Sequence, residues 1–316
     1  MSEFSLIDRY FAHIGENRND VILSVGDDGA IIQTGNVQQC IAVDTLVRGV
    51  HFPEQTQARD IGYKSLAVNL SDMAAMGAKP QWATLAITLS EFEDEQWIKE
   101  FALGMDELAR QHSVQIIGGD TSRGTQLTIS VQIAGIIEDG KALRRDAAKP
   151  GDKIFVTGTI GDAAIGLRQL STASADDYFL QRLNRPTPRV VDMQILKPYI
   201  NAAIDISDGL LADLGHIMQR SELGATIQIE DVPLSEGVTD KGIDDEEYQF
   251  LLSGGDDYEI CFTVADEHVN TLLDIASQHG IVITQIGQMV KGNTLQCLYR
   301  DGRELAVTKR GYDHFA

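Results

Sequence analysis

The chain has 316 residues, 43% of them hydrophobic, with 26 Lys plus Arg against 47 Asp plus Glu and a formal net charge of -21. That is room for two ordinary domains or one large one, with a real core. A surface this acidic repels nucleic acid and anionic membranes, because affinity for a phosphate backbone comes from Lys and Arg, but it does not repel divalent cations or an anion wrapped in them.

Residues 1–20 carry acidic groups and no unbroken apolar stretch, so no signal peptide is expected. No run approaches the ~20 apolar residues that cross a bilayer, so the expected location is the cytoplasm. Residues 60–76 predict a helix, with Leu66, Leu70 and Met73 on one face and Gly77 as its C-terminal cap. A second helix is expected over 93–112, where Trp97, Phe101, Met105 and Leu108 form a core stripe. Residues 125–137 switch to period two through Leu127, Ile129, Val131 and Ile133, a half-buried strand of an antiparallel or mixed sheet. The polar, turn-rich stretch 139–152 predicts a boundary between an N-terminal domain, 1–147, and a C-terminal α/β domain, 148–316. Beyond it, strand 153–158 runs into the turn and helix of GTIGDAAIG (158–166), and strand 202–207 runs into helix 209–219. GTIGDAAIG reads as a simple strand–turn–helix before it reads as a dinucleotide loop. Further strands are expected near 225–229, 258–264, 281–287 and 295–299, and residues 244–247 are a solvated loop or a helix start. Cys40, Cys261 and Cys297 each sit in an apolar run, as small buried hydrophobes of a reduced compartment.

The informative pattern is aspartate, often beside glycine, at the ends of apolar strands: VGDDGA (25–30), IAVDTLV (41–47), NLSDMAAMG (69–77), IIGGDTSRG (116–124), IDISDGL (204–210) and SGGDDYE (253–259). Singly, each is an N-cap or a turn. Six together are harder to explain that way, and Asp44 and Asp205 interrupt otherwise apolar runs. A buried bare carboxylate needs a partner, and Lys and Arg are too few in these segments to serve them all. Two carboxylates ~4 Å apart repel by roughly 4 kcal/mol at an effective dielectric of about 20. A cation removes that cost, and hard oxygen donors without a Cys or His cluster point to Mg²⁺. Because Mg²⁺ binds through one or two carboxylates plus substrate phosphates, many aspartates suggest several ions on a polyphosphate. No GxxxxGK[ST] loop and no HRD or DFG signature occurs.

VGDDGA, the segment 43–52, LAVNLSDMAAMGAKP (66–80), IIGGDTSRG, AKPGDKIFVTG (148–158), AIDISDGL, LSGGDDYE and the terminal KRGYDHF (309–315) stand in the order seen in thiamine-monophosphate kinases, and the chain resembles that family over almost its whole length. Single motifs are similar to the wider superfamily of aminoimidazole ribonucleotide synthetase and selenophosphate synthetase. The resemblance implies two α/β domains of the aminoimidazole ribonucleotide synthetase-like fold, and a homodimer whose N-terminal strands join into a shared barrel. It implies ATP and thiamine monophosphate as substrates, with ADP and thiamine diphosphate as products, at the end of thiamine diphosphate biosynthesis. It further implies Mg²⁺ ions held by Asp28, Asp44, Asp72, Asp120, Asp205 and Asp208. ATP would meet Gly119, Asp120, Arg145 and Ser207, and the thiamine phosphate would meet His51, Asp256 and Tyr312. Arg123 is either a phosphate contact or half of a structural ion pair. Two departures stand out: family members often carry Ser/Thr-Thr-Asp at Ala42-Val43-Asp44, and many carry Glu at Asp256.

The acceptor would itself be a phosphate monoester with a second pKa of about 6. It is therefore largely anionic at neutral pH, and the expected chemistry is direct in-line transfer without a base or covalent nucleophile. Two rivals remain at this level. One is another synthetase or kinase of the superfamily, although no N-terminal reactive Cys stands in a Gly-rich loop. The other is a non-enzymatic binder of nucleotide or divalent ions, although no EF-hand loop occurs.

Overall fold

A computed structural model describes residues 18–170, 177–239, 243–308, 311 and 312, together with 7, 9–12, 14 and 16. The chain divides into two units: Asn17–Ala142 with Asn184–Val190, and Leu143–Leu183 with Val191–Ala316 and Met1–Glu16.

The first of these units is built on strands β1 (Val21–Leu23), β2 (Ala30–Thr34), β3 (Val37–Val47), β4 (Lys79–Leu89), β5 (Gln115–Arg123) and β6 (Thr128–Ile137), in the sheet order β1-β2-β3-β6-β4-β5. Only β4 and β5 run parallel; the other pairs are antiparallel. Helices α1 (Ala58–Ala75) and α2 (Glu95–Gln111) accompany it. On β3 the alternate residues Gln38, Cys40, Ala42 and Leu46 are buried while Val43 is 63% exposed, so the two faces of the strand differ sharply. Of the expected stripe of α2, Phe101, Met105 and Leu108 are buried, whereas Trp97 at its start is only half-buried. Asp94 caps this helix by accepting the Trp97 N–H.

Helix α1 departs from a one-faced amphipathic reading. Fourteen of its residues are buried, Lys64, Ser65, Asn69 and Ser71 among them, because the helix is covered on more than one side. Its last turn ends at Met76, and Gly77 takes the left-handed conformation expected of a C-terminal cap.

The second unit holds β7 (Lys153–Thr157), β8 (Ala202–Asp205), β9 (Gly224–Gln228), β10 (Ile260–Val264), β11 (Ile283–Val290) and β12 (Leu295–Leu298), ordered β12-β9-β11-β7-β10-β8. Its helices are α3 (Asp162–Gln169), α4 (Asp177–Asn184), α5 (Val190–Leu196), α6 (Leu210–Ser221), α7 (Glu236–Thr239), α8 (Asp245–Ser253) and α9 (Val269–His279). Residues 244–247 prove to be a helix start, with Asp244 capping α8 through the Glu247 N–H. Strands β7, β8 and β10 are almost wholly buried, and Ile154, Val156, Ala202, Ile204, Leu210, Leu214 and Cys261 share one core. All three cysteines are buried thiols outside any disulfide. Among the described residues no helix is long and apolar enough to cross a membrane.

Candidate active site

In the first unit the residues preceding β2 form a turn in which Asp27 accepts the Asp28 N–H at 3.0 Å. Asp28 itself is buried. From α1, Asp72 brings a carboxylate oxygen within 4.8 Å of one from Asp28. The combined negative potential is felt at Cys40, whose thiol is pushed up by burial first and then by Asp72, Asp28 and Asp27. Three residues before Asp72, on the same helix face, Asn69 accepts the Asp44 N–H at 3.3 Å and donates to the Ser65 carbonyl at 3.0 Å. A single helix thus fixes both Asp72 and the backbone of β3 at Asp44. The oxygen pair of Asp28 and Asp72 suits a hard divalent ion such as Mg²⁺.

His51 lies in a loop folded back on β3. Its own N–H donates to the Val47 carbonyl at 3.0 Å, and its Nδ1 accepts the Val47 N–H at 2.9 Å. The neutral ring therefore carries its proton on Nε2, as a donor. Buried Lys64 holds the same loop by donating to the His51 carbonyl at 3.4 Å, and Arg48 anchors it to Glu93 at 2.6 Å.

Not every expected ligand joins this group. Asp44 pairs with Val131, Val131 with Leu85, and Leu85 with Gly119. Gly119 is thus three strand spacings, roughly 14 Å, from Asp44. Asp120 lies in the neighbouring row with Ala86, Ser130 and Thr45, where the Thr45 and Ser130 hydroxyls meet at 2.8 Å. Its side chain therefore leaves the opposite face of the sheet from Asp44. The rule of aspartates at strand ends needs correcting here: Asp44 and Asp120 lie inside strands, and Asp72 inside a helix. Ala42 and Val43 carry no side-chain oxygen, so neither adds a side-chain ligand beside Asp44.

In the second unit Asp205 ends β8 and is buried. The turn after it is organised by Asp213, one turn into α6, whose Oδ2 accepts the N–H groups of Ser207, Asp208 and Gly209 at 3.0–3.1 Å. Asp256 donates its N–H to the Ser207 carbonyl at 2.8 Å, and Tyr312 donates its N–H to the Asp208 carbonyl at 3.1 Å. Ser207, Asp208, Asp256 and Tyr312 are thereby gathered along one seam beside Asp205. Arg145 is buried in a short turn that packs against α6 and β8, its carbonyl accepting from Ser221. Of the terminal motif 309–315, only Gly311 and Tyr312 are among the described residues.

The sequence reading missed a buried polar cluster behind this seam. Asp257 is 1% exposed and accepts the Gly161 N–H at 2.7 Å and the Ala163 N–H at 3.4 Å, the first donors of α3. Those donors are consumed internally, so GTIGDAAIG is the simple strand–turn–helix expected and no phosphate loop. Arg182 pairs with Glu259 at 2.8 Å and reaches Asp162 at 3.5 Å, while the Thr157 hydroxyl donates to Glu259 at 2.6 Å. Burial pushes the Asp257 carboxyl up to about 8, against the Gly161 N–H and the Arg182 charge that favour its ionised form, with Asp162 adding to the rise. A folded-state pKa above that of the unfolded chain, near ~4, means that the folded protein holds this proton more tightly. The associated stability is complete below about pH 4 and is lost as pH rises through about 8. Asp257→Asn should therefore gain in thermal midpoint relative to the native protein between about pH 5 and about pH 8. A gap that stays constant across that range would show that Asp257 does not titrate there.

Residues 26–137 match the family model of the AIR synthase related protein N-terminal domain, and residues 149–299 match that of its C-terminal domain. Thiamine-monophosphate kinase of Escherichia coli strain K12 is 44% identical over 99% of this chain and 98% of its own length. That of Bacillus subtilis strain 168 is 35% identical over the whole of both. The chain belongs to the thiamine-monophosphate kinase family. The thiamine-monophosphate kinase structure from Stenotrophomonas maltophilia K279a superimposes with a TM-score of 0.77 at 46% identity, over 93% of this chain and 96% of that one. A second structure, AaThiL complexed with AMPPCP and TMP, gives a TM-score of 0.85 at 31% identity, over 99% and 97%. The fold is thus the two-domain, mixed α/β architecture that the sequence resemblance implies.

Proposed function

We propose that the protein transfers the terminal phosphoryl group of ATP to thiamine monophosphate, giving ADP and thiamine diphosphate. The observation that carries this reading is the Asp28–Asp72 carboxylate pair, which suits a Mg²⁺-bound polyphosphate, in a chain of this family. A relative that aligns with nearly the whole chain holds both an ATP analogue and TMP.

Asp28, Asp44, Asp72 and Asp120 of the first unit, with Asp205 and Asp208 of the second, are the residues assigned to Mg²⁺. Mg²⁺ held by these carboxylates would neutralise phosphate charge on the transferred group. Gly119, Asp120, Arg145 and Ser207 are assigned to ATP. His51 suits the acceptor phosphate, because its Nε2–H is a donor and its ring is fixed by Val47. Asp256 suits the cationic, amine-bearing part of thiamine, and Tyr312 offers an aromatic face 48% exposed. The acceptor phosphate, with a second pKa near ~6, needs no base to become a nucleophile. Positioning then does most of the catalytic work.

The same reading includes a cytoplasmic homodimer, with residues 1–147 as the dimerising, ATP-binding part and 148–316 completing the substrate site. All nine residues of the edge strand β5 are exposed, and a long bare edge invites pairing with a second copy. Asp120 sits on that edge, away from Asp44, which fits a site to which two copies contribute.

Incubation with Mg²⁺, ATP and thiamine monophosphate, followed by product separation, is expected to give ADP and thiamine diphosphate in equal amounts. Labelled γ-phosphate should pass to product with none retained on protein. ADP release independent of thiamine monophosphate would overturn the substrate, and a burst of acid-stable, protein-bound label would overturn direct transfer.

A further inference from the structure

The segment that carries Asp256 is held in a conformation that its own residues disfavour. Asp256 and Tyr258 both adopt left-handed backbone, with φ of 71° and 51°, although neither is glycine. The segment runs flat against the turn after β8. Asp256 N–H donates to Ser207 at 2.8 Å, Tyr258 N–H to Ile206 at 2.8 Å, and Ile206 N–H to Glu259 at 2.7 Å. It fits so closely that a Cβ on Gly255 would come within 2.4 Å of the Ser207 carbonyl oxygen, and one on Gly254 within 2.4 Å of the Ala164 Cβ. The Tyr258 hydroxyl meets the Asp256 carboxylate at 3.2 Å. Between the two strained residues stands Asp257, pointing inward onto the N-terminus of α3, with Arg182 reaching its carbonyl at 3.5 Å.

We propose that Asp257 is a positioning residue for substrate recognition: its carboxyl, clamped on the Gly161 and Ala163 N–H groups, keeps Asp256 and Tyr258 left-handed and so aims the Asp256 carboxylate. Two strained residues flanking one buried anchor form a lever. If the anchor is released, both residues relax toward ordinary backbone and the Asp256 side chain swings off its line. The anchor acts on the Asp256 side chain, whereas the segment meets Ser207 only through that residue's backbone carbonyl, so the effect should fall chiefly on the acceptor. This proposal rests on the assignment of Asp256 to the thiamine phosphate.

The test compares Asp256→Asn, Asp257→Asn and the double variant in steady-state kinetics. Asp257→Asn keeps size and one acceptor oxygen, but its NH₂ group cannot accept the second of the two N–H groups. It is expected to raise KM for thiamine monophosphate by about tenfold while KM for ATP stays within about twofold. Because Asp257 acts through Asp256, the double variant should show the KM of Asp256→Asn alone. Amide exchange across residues 254–259 should quicken in Asp257→Asn. If Asp256→Asn raises that KM and Asp257→Asn does not, the proposal falls and the site assignment stands. If Asp256→Asn leaves it unchanged, Asp256 is no substrate contact and both fall. Equal rises in the two KM values for Asp257→Asn would reduce it to a structural residue. Should Asp257→Asn fail to fold, Arg182→Lys loosens the same clamp from its carbonyl side. It is expected to raise the thiamine monophosphate KM selectively, and an unselective effect there would overturn the proposal.

Discussion

Asp72→Asn is expected to lower turnover by at least ~100-fold, about 2.7 kcal/mol of transition-state stabilisation, while the thermal midpoint holds or rises. The two halves of that result have one cause. Carboxylate oxygens of Asp72 and Asp28 lie within 4.8 Å, and two unit charges at that distance repel by roughly 3.5 kcal/mol at an effective dielectric of about 20. A divalent ion held between them would offset that repulsion. An amide removes the repulsion and, with it, the anionic oxygen that would hold a divalent cation on the polyphosphate. A purely structural aspartate would behave in the opposite way, losing stability first. Asp120→Asn should lose turnover similarly with no change in midpoint, because Asp120 is exposed on an edge strand. If two copies complete each site, mixing the two inactive variants and allowing subunits to exchange should restore part of the activity, since mixed dimers hold one intact site. Near-normal turnover in both single variants would remove the metal-binding reading. Two inactive variants that exchange subunits without recovery would place both residues in one copy's site.

What the sequence disclosed and what it hid follow from where each constraint comes from. The stripe of α2 and the alternation of β6 were legible because one side of each faces a core, so burial writes a period into the residues. Strand β5 was not legible as a strand. It is exposed along its whole length, so nothing imposes alternation on Gly118, Gly119, Asp120, Thr121 and Ser122. The expected one-faced pattern of α1 understated its burial, since polar Lys64 and Asn69 are enclosed by bonding to the His51 loop and to β3. The aspartates themselves were conspicuous as carboxylates interrupting apolar runs. Their supports were not. Asp257 serves amides about a hundred positions away, at Gly161 and Ala163, and Asp213 looks like any acidic residue in the first turn of a helix. A closer reading of DISDGLLAD would have found Asp213, because a carboxylate four residues past a Gly in a strand–helix turn is placed to accept that turn's amides. No local signal marks Asp257, whose partners are set by tertiary packing alone.

Gly104→Ala should cost both stability and activity, the opposite signature to Asp72→Asn. Helices α1 and α2 touch backbone to backbone at two reciprocal points. A Cβ on Gly104 would stand 1.8 Å from the Arg59 carbonyl oxygen, and one on Gly62 would stand 1.9 Å from the Phe101 carbonyl oxygen. Ordinary contact needs ~3.3 Å or more, so a single methyl must push the helices apart by about 1.5 Å. No flexible side chain lies at either point to yield instead. Overpacking of this kind costs typically ~1–3 kcal/mol, and more where the backbone itself must move. The cost does not stay at the helix interface, because α1 also presents Asn69 to Asp44 and Asp72 to Asp28. A displacement on the order of 1 Å in a positioning element is worth about a hundredfold in rate. Denaturant titration and turnover of Gly104→Ala should therefore fall together, with Gly62→Ala behaving alike. A native midpoint with native turnover in Gly104→Ala would mean that α1 and α2 are not in backbone contact, and the fixed relation between Asp72 and the sheet would have to be abandoned.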